Sequence, residues 1–92
     1  MAMVIEWDAG KARVNLQKHG VGFEEAATVF GDPLSSTISD PLHSAGEHRF
    51  IMVGFSKQGR VIVVAHAERG GRIRIISARV ASRRERKQYE EG

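Results

Sequence analysis

Charged side chains and side chains that can transfer protons are concentrated in the last third of the chain. Residues 60–87 contain nine of the fourteen Lys and Arg residues and two acidic residues, whereas residues 1–59 contain five basic and seven acidic residues. The guanidinium of arginine matches the oxygens of a phosphate, and His, Glu, Tyr and Lys side chains can move protons. This combination could bind and cleave a phosphodiester without a metal ion.

Metal-independent cleavage of RNA requires a base for the ribose 2′-hydroxyl, a cation for the charge on phosphorus and an acid for the 5′-oxygen. The candidate catalytic residues are His66, Glu68, Arg69, Arg79 and Tyr89. Further positive charge on the same stretch gives a second set, the candidates for binding the RNA backbone: Arg72, Arg74, Arg83 and Arg84.

Structural roles compete with these catalytic ones. His66 alternates with the apolar residues Ile62 and Val64, which is typical of a histidine within a sheet. Glu68 and Arg69 are ordinary residues for a hairpin, and Tyr89 could serve packing alone. Arg79 is the hardest to explain structurally, because a charge at the end of an apolar strand needs a partner or access to water.

Several classes of protein lack their usual motifs here. The chain has no cysteine, and its four histidines form no HxH or HExxH motif, so we expect no metal site and no cofactor. There is no phosphate-binding glycine loop opening a helix. The N-terminus does not resemble a signal peptide, and the longest apolar run, 61–65, is too short to cross a bilayer. We therefore expect a cytoplasmic protein without membrane contact.

A sequence pI of about 9.8 favours an anionic partner, although a basic surface that contacts only solvent is equally compatible with the charge. Composition and length predict one domain over residues 1–92. Periodicity predicts an α+β fold in which a small antiparallel sheet packs with two N-terminal helices and one C-terminal helix. The predicted helices cover 9–18, 23–30 and 83–91, and the predicted strands cover 34–39, 48–55, 60–68 and 72–80. Residues 4–7 are a further short β-prone run, and 40–46 are expected to form a loop.

Two details of these elements bear on the candidates. Strict alternation along the last strand would place Arg79 on the same face as Ile73 and Ile75. The last helix begins with a capping box from Ser82 to Glu85, yet its arginines lie at the positive end of the helix dipole. An anion or an acidic partner near this helix start would explain that charge order, and so would a tail that frays.

Several short motifs occur in one order along nearly the whole chain: KHG at residues 18–20, FEEA at 23–26 and RIISAR at 74–79. With Glu85 and Tyr89 in the last helix, they closely resemble the BrnT toxin family. The resemblance implies a RelE-like ribonuclease toxin of a bacterial type II toxin–antitoxin system.

The resemblance also implies a partner and site residues. The partner would be a BrnA-like ribbon-helix-helix antitoxin, and operator DNA would be contacted only through that antitoxin. Matching of motifs implies six site residues: Lys18, His19, Arg74, Arg79, Glu85 and Tyr89. The expected function is that of an endoribonuclease that cleaves RNA and inhibits growth. The alternative is a non-catalytic, antitoxin-binding subunit that acts as a co-repressor.

Overall fold

The computed structural model describes residues 3–40 and 47–92. Within these residues the elements follow the order β1 (Val4–Glu6), α1 (Ala9–His19), α2 (Phe23–Thr28), a 3₁₀ turn (Val29–Gly31), β2 (Ser36–Ser39), β3 (His48–Phe55), β4 (Val61–Arg69), β5 (Arg72–Val80) and α3 (Arg83–Glu91). The predicted α+β class is confirmed. The loop predicted after Ser39 lies, apart from Asp40, outside the described residues.

Local signals set the bounds of the first helix. The carboxylate of Asp8 accepts a hydrogen bond of 2.8 Å from the backbone N–H of Lys11, which caps the start of α1. Gly20 ends the helix with φ of 68°, a left-handed conformation that favours glycine. The side chain of Asn15 then fixes α1 to the sheet, because it donates to the carbonyl of Ala78 at 2.8 Å and accepts from the N–H of Ala78 at 3.1 Å.

The five strands form one sheet in the order β1-β5-β4-β3-β2. Strands β2 to β5 pair antiparallel, and β1 pairs parallel with the outer edge of β5. The parallel β1 is an addition to the predicted antiparallel sheet. Helices α1 and α2 supply one layer, and their apolar side chains meet the sheet in a core whose largest fully buried members include Phe23, Ile62 and Ile75.

A β-bulge in β5 corrects one prediction. His66 pairs with Ile75, but the neighbouring Ala65 pairs with Ser77, so Ile76 is an extra residue without a partner on β4. An extra residue reverses the alternation of the residues that follow it. The prediction that Arg79 shares a face with Ile73 and Ile75 was therefore wrong, since Ala78 joins Ile75 in the core and Arg79 lies opposite.

The bulge gives the sheet two unlike faces. The face toward α1 and α2 carries Met52, Val64 and Ile75, and we call it the helical face. The other face, called the arginine face below, combines Arg74 and Arg79 on β5 with small or apolar residues that register places beside them on β4 and β3: Val63, Ala65, Ala67, Ile51 and Val53. Helix α3 borders the arginine face at the end where β5 finishes.

Candidate nucleic-acid interface

Arg79 has a defined partner. Its Nη1 and Nη2 atoms donate to Oε1 and Oε2 of Glu85 at 2.7 and 2.9 Å, and 45% of its side chain is exposed. Glu85 is the third residue of α3, and the predicted capping box is present, with the N–H of Ser82 donating to its Oε1 at 2.8 Å. The cap of α3 therefore positions the carboxylate that faces Arg79.

The electrostatics of this pair follow from the geometry. The hydrogen bonds from Arg79 are the largest influence on Glu85 and, with those at Ser82, lower the pKa of its carboxyl to about 2 despite partial burial. The same contact raises the pKa of Arg79 above its ordinary value. Both groups are charged at neutral pH, and the charge of Arg79 is balanced by one carboxylate.

Tyr89 lies in the last turn of α3. Its hydroxyl donates to Oδ2 of Asp32 at 2.5 Å, and this bond, followed by burial, raises the pKa of Tyr89 to about 12. Burial raises the pKa of Asp32, but hydrogen bonds from Tyr89 and from the N–H groups of Phe55 and Leu34 more than offset it, so the pKa of Asp32 is lowered. The contact holds the tyrosine ring beside the arginine face, and the hydroxyl proton is engaged in the hydrogen bond to Asp32.

Four arginines and two carboxylates surround the β4–β5 hairpin. Glu6 accepts from Arg72 and Arg74, both at 3.3 Å. Glu47 accepts from Arg69 at 2.6 Å and from Arg49 at 3.2 Å. Each carboxylate thus faces two guanidinium groups, which leaves this end of the molecule with an excess of positive charge.

His66 lies elsewhere. It is on the helical face, 5% exposed, with its ring centroid 4.9 Å from that of Phe30 and 5.5 Å from that of Phe50. Its Nδ1 is buried and has no hydrogen-bond partner among the described residues. Burial is the largest influence on the pKa of His66 and lowers it. The sheet separates this imidazole from Arg79.

The remaining sequence candidates fall into three places. Glu68 is exposed and faces His48 across the β3–β4 pairing, on the side of the sheet that carries His66. Lys18 and His19 end α1 and line a groove with Ile76 and Ser77 at the edge of β5. Arg83 and Arg84 lie in the first turn of α3 and are exposed. Of the proposed catalytic set, the structure brings Arg79 and Tyr89 to one site. It leaves Arg69 at the hairpin beside Glu47, and His66 and Glu68 on the helical face, all outside that site.

The site also contains residues that the sequence reasoning did not name. Glu6 and Glu47 hold the arginines of the hairpin, and Asp32 holds Tyr89. Alternation along a strand could not reveal them because they come from distant parts of the chain. Leu34 and Ile38 belong to the predicted edge strand 34–39, and only the structure shows that both apolar side chains are exposed.

The chain is a small α+β protein with one arginine-lined sheet face bordered by its C-terminal helix. A family model described as the ribonuclease toxin BrnT of type II toxin–antitoxin systems matches residues 7–85. Among solved structures, the chain is similar to the ribonuclease toxin BrnT of Brucella abortus, with 26% identity, a TM-score of 0.66, and coverage of 89% of this chain and 100% of that chain. No curated protein matches it. The chain belongs to the BrnT family.

In residues 3–40 and 47–92, no three His, Asp or Glu side chains come together in a way that could hold a metal ion. None of the helices in these same ranges has the length and apolar character needed to cross a membrane.

Proposed function

We propose that this chain is a metal-independent endoribonuclease that acts as the toxin of a type II toxin–antitoxin system in the cytoplasm. Membership of a family described as ribonuclease toxins supports the class of activity. The observation that carries the proposal is Arg79, a half-exposed guanidinium on the arginine face, next to a carboxylate and a groove. The hairpin arginines add the long-range attraction that a polyanion needs.

The proposed reaction uses the RNA's own 2′-hydroxyl. Its oxygen attacks the adjacent phosphorus, the bond to the 5′-oxygen breaks, and the products are a 2′,3′-cyclic phosphate and a 5′-hydroxyl. Arg79 would bind the phosphate and stabilise the negative charge that grows on its oxygens, a contribution worth about 10²- to 10³-fold for one such donor.

Glu85 is the nearest carboxylate to Arg79 and is our candidate for the proton transfers. A phosphate that binds Arg79 would displace Glu85, and the pKa of Glu85 would then rise from about 2 toward its ordinary 4.5. The freed carboxylate would take the proton of the 2′-hydroxyl, and its protonated form would return a proton to the departing 5′-oxygen. Tyr89 is better suited to hold α3 than to act as a base, because its proton is bound to Asp32.

The other arginines are proposed to bind the RNA backbone. Arg69, Arg72 and Arg74 lie around the hairpin with more positive than negative charge beside them, as expected of a surface that binds successive phosphates. Lys18, Arg83 and Arg84 are exposed cations at two helix ends, and His19 is an exposed side chain beside Lys18; all four stay predictions for RNA binding. We do not place His66 or Glu68 in this site, since both lie on the helical face.

Purified full chain incubated with RNA in excess EDTA tests the proposal. We expect cleavage that continues without divalent metal and leaves 5′-hydroxyl ends. In cells, expression of the chain alone should stop growth and reduce intact mRNA. Full-length transcripts in arrested cells, or intact RNA across a range of pH and salt, would contradict the assignment.

We further propose that the partner is a BrnA-like ribbon-helix-helix antitoxin, which alone would contact operator DNA. The family's type II system implies an antitoxin, and the basic last third suits an acidic segment of such a partner. Co-expression with the neighbouring reading frame should yield a stable complex in which RNA cleavage is lost. Recovery of the toxin free of that product, with activity unchanged, would rule out this partner.

One observation favours a second candidate, a non-catalytic subunit that binds antitoxin and acts as a co-repressor. On the described arginine face, the pKa of Glu85 is about 2 and that of Tyr89 about 12, so neither group exchanges protons readily at neutral pH in the free protein. Antitoxin binding with RNA left intact would support this candidate. Metal-free cleavage that disappears in an Arg79 variant would exclude it.

A further inference from the structure

A groove lies on the arginine face between α3 and the β2–β3 edge of the sheet, with a volume of about 450 Å³. Its floor and outer wall are mainly aliphatic, with Ser36 as the polar residue among Leu34, Ile38, Ile51 and Val53. The ring of Tyr89 supplies part of the wall on the side of α3. Ligand pockets typically combine such apolar walls with a few placed polar groups.

The aliphatic wall is unusually open to solvent. Leu34 is 77% exposed and Ile38 is 64% exposed, so neither contributes much to the core. Two large aliphatic side chains that line one groove differ from scattered surface residues, because together they form a patch that a ligand could cover. Their contribution to folding is small, and we infer that their contribution is to binding.

The polar groups of the groove are not evenly spread. Arg79 and Glu85 form one side, and Gln88 reaches the groove from the next turn of α3. The carboxamide of Gln88 offers one hydrogen-bond acceptor and two donors. Tyr89 cannot rotate freely, since its hydroxyl is held by Asp32 at 2.5 Å. The groove thus has a cation at one side, a fixed aromatic wall and an amide that can read an edge.

We propose that this groove binds the base of the nucleotide whose phosphate is bound by Arg79. In a nucleotide, the negatively charged phosphate and the flat, largely apolar base are attached to different sides of the ribose. The groove likewise has the guanidinium of Arg79 at one side and its aliphatic wall at another. Bases extruded from a strand are commonly held between aromatic and apolar side chains and read at their edges by hydrogen bonds. Gln88 is then the residue that selects among bases.

This assignment rests on the proposed function for its ligand class, RNA. Arg79 forms part of the groove itself, and a phosphate that displaces Glu85 would pair with its guanidinium, which favours a phosphate-bearing occupant over a purely apolar peptide. A segment of a protein partner is the competing occupant, and the experiment below separates the two.

The probe is a trinucleotide of 2′-O-methyl RNA, which cannot be cleaved because its 2′-hydroxyls are blocked. Its affinity for the full chain is compared with that of the same trinucleotide lacking the central base, using calorimetry. Stacking contacts predict that loss of the base weakens binding about tenfold. In a Leu34→Ala/Ile38→Ala double variant, both probes should bind equally, at the affinity of the abasic probe for the wild-type chain.

Leu16→Ala is the matched control, because Leu16 is also an exposed leucine, at 54%, and lies on α1 away from the groove. It should keep the tenfold difference. Gln88→Ala should change the order of affinity among probes that differ in the central base. Equal binding of intact and abasic probes by the wild-type chain would overturn the proposal and leave a protein segment as the competing occupant.

The comparison of probe affinities does not depend on whether the chain cleaves RNA. Binding that depends on the base, in a chain that leaves ordinary RNA intact, would refute the ribonuclease and retain the groove. If the chain cleaves RNA but probe affinity does not depend on the base, the ribonuclease is retained and the proposed base-binding groove is refuted.

Discussion

Replacing Glu85 with glutamine removes the negative charge opposite Arg79 and changes little else in size. A glutamine can keep the capping box of α3, since its side-chain oxygen can still accept from the N–H of Ser82. The two hydrogen bonds that Arg79 makes to a carboxylate, of 2.7 and 2.9 Å, are replaced by weaker bonds to an amide. Glu85→Gln therefore isolates the charge of the pair.

The expected loss of stability follows from linkage. A pKa lowered from 4.5 to about 2 corresponds to about 3 kcal/mol of folding free energy. Because 45% of the Arg79 side chain and 31% of the Glu85 side chain are exposed, solvent screening reduces this to about 1 to 2 kcal/mol. The folded-state pKa of Glu85 is the lower one, so this stabilisation is present above pH 4.5 and is lost as the pH falls from 4.5 toward 2.

Urea unfolding at pH 7 and pH 3 measures the effect directly. The variant should be less stable than the wild-type chain by about 1 to 2 kcal/mol at pH 7, with a smaller difference at pH 3. Its affinity for uncleavable 2′-O-methyl RNA should rise about fivefold, because Arg79 no longer has a competing carboxylate. Cleavage of ordinary RNA should fall, since the proposed base is gone.

Glu90→Gln is the control, because it removes the same charge from the exposed last turn of α3. Equal stability of Glu85→Gln and the wild-type chain at pH 7 would refute the importance of the pair. Equal gains in RNA affinity for the two glutamine variants would attribute the effect to net charge and not to Arg79.

Three further predictions concern the scaffold. Because burial lowers the pKa of His66, the imidazole takes up a proton at higher pH in the unfolded chain than in the folded one, and stability should decrease as the pH falls below about 6.5. Urea midpoints measured between pH 7.5 and 5.5 should show this decrease for the wild-type chain. In His66→Leu that part of the pH dependence should be absent. Gly54→Ala should cost about 1 to 3 kcal/mol in thermal unfolding, since a Cβ there would lie 2.7 Å from Cγ1 of Val29, whereas Gly31→Ala, in open space, should not. Asn15→Ala should cost about 2 to 3 kcal/mol in the same assay by leaving buried backbone groups unpaired, and an unchanged midpoint would contradict this.

Much of the fold could be predicted from local signals. Asp8 and Gly20 bound the first helix, the capping box from Ser82 marks the last one, and alternation locates the three long strands. The β-prone run at 4–7 is confirmed as β1, but its parallel pairing with β5 could not be predicted, because three residues carry no information about the strand they pair with. Pairing of that kind is decided by the assembled sheet.

The site was harder to predict because it depends on one residue. The bulge at Ile76 moves Arg79 to the face opposite the core, and alternation counted along the strand has no means of detecting an inserted residue. Since the same bulge separates Arg79 from His66, the sequence alone grouped a catalytic set that the sheet divides.

The role of Arg79 as the group that stabilises the phosphate is tested by the rate at which Arg79→Ala cleaves RNA in excess EDTA. Arg13→Ala, which removes an exposed arginine from α1, is the control for loss of charge, and circular dichroism confirms that both variants fold. We expect Arg79→Ala to cleave RNA at least about 100-fold more slowly than the wild-type chain, while Arg13→Ala stays within a few-fold. Cleavage by Arg79→Ala at the rate of Arg13→Ala would contradict this role of Arg79.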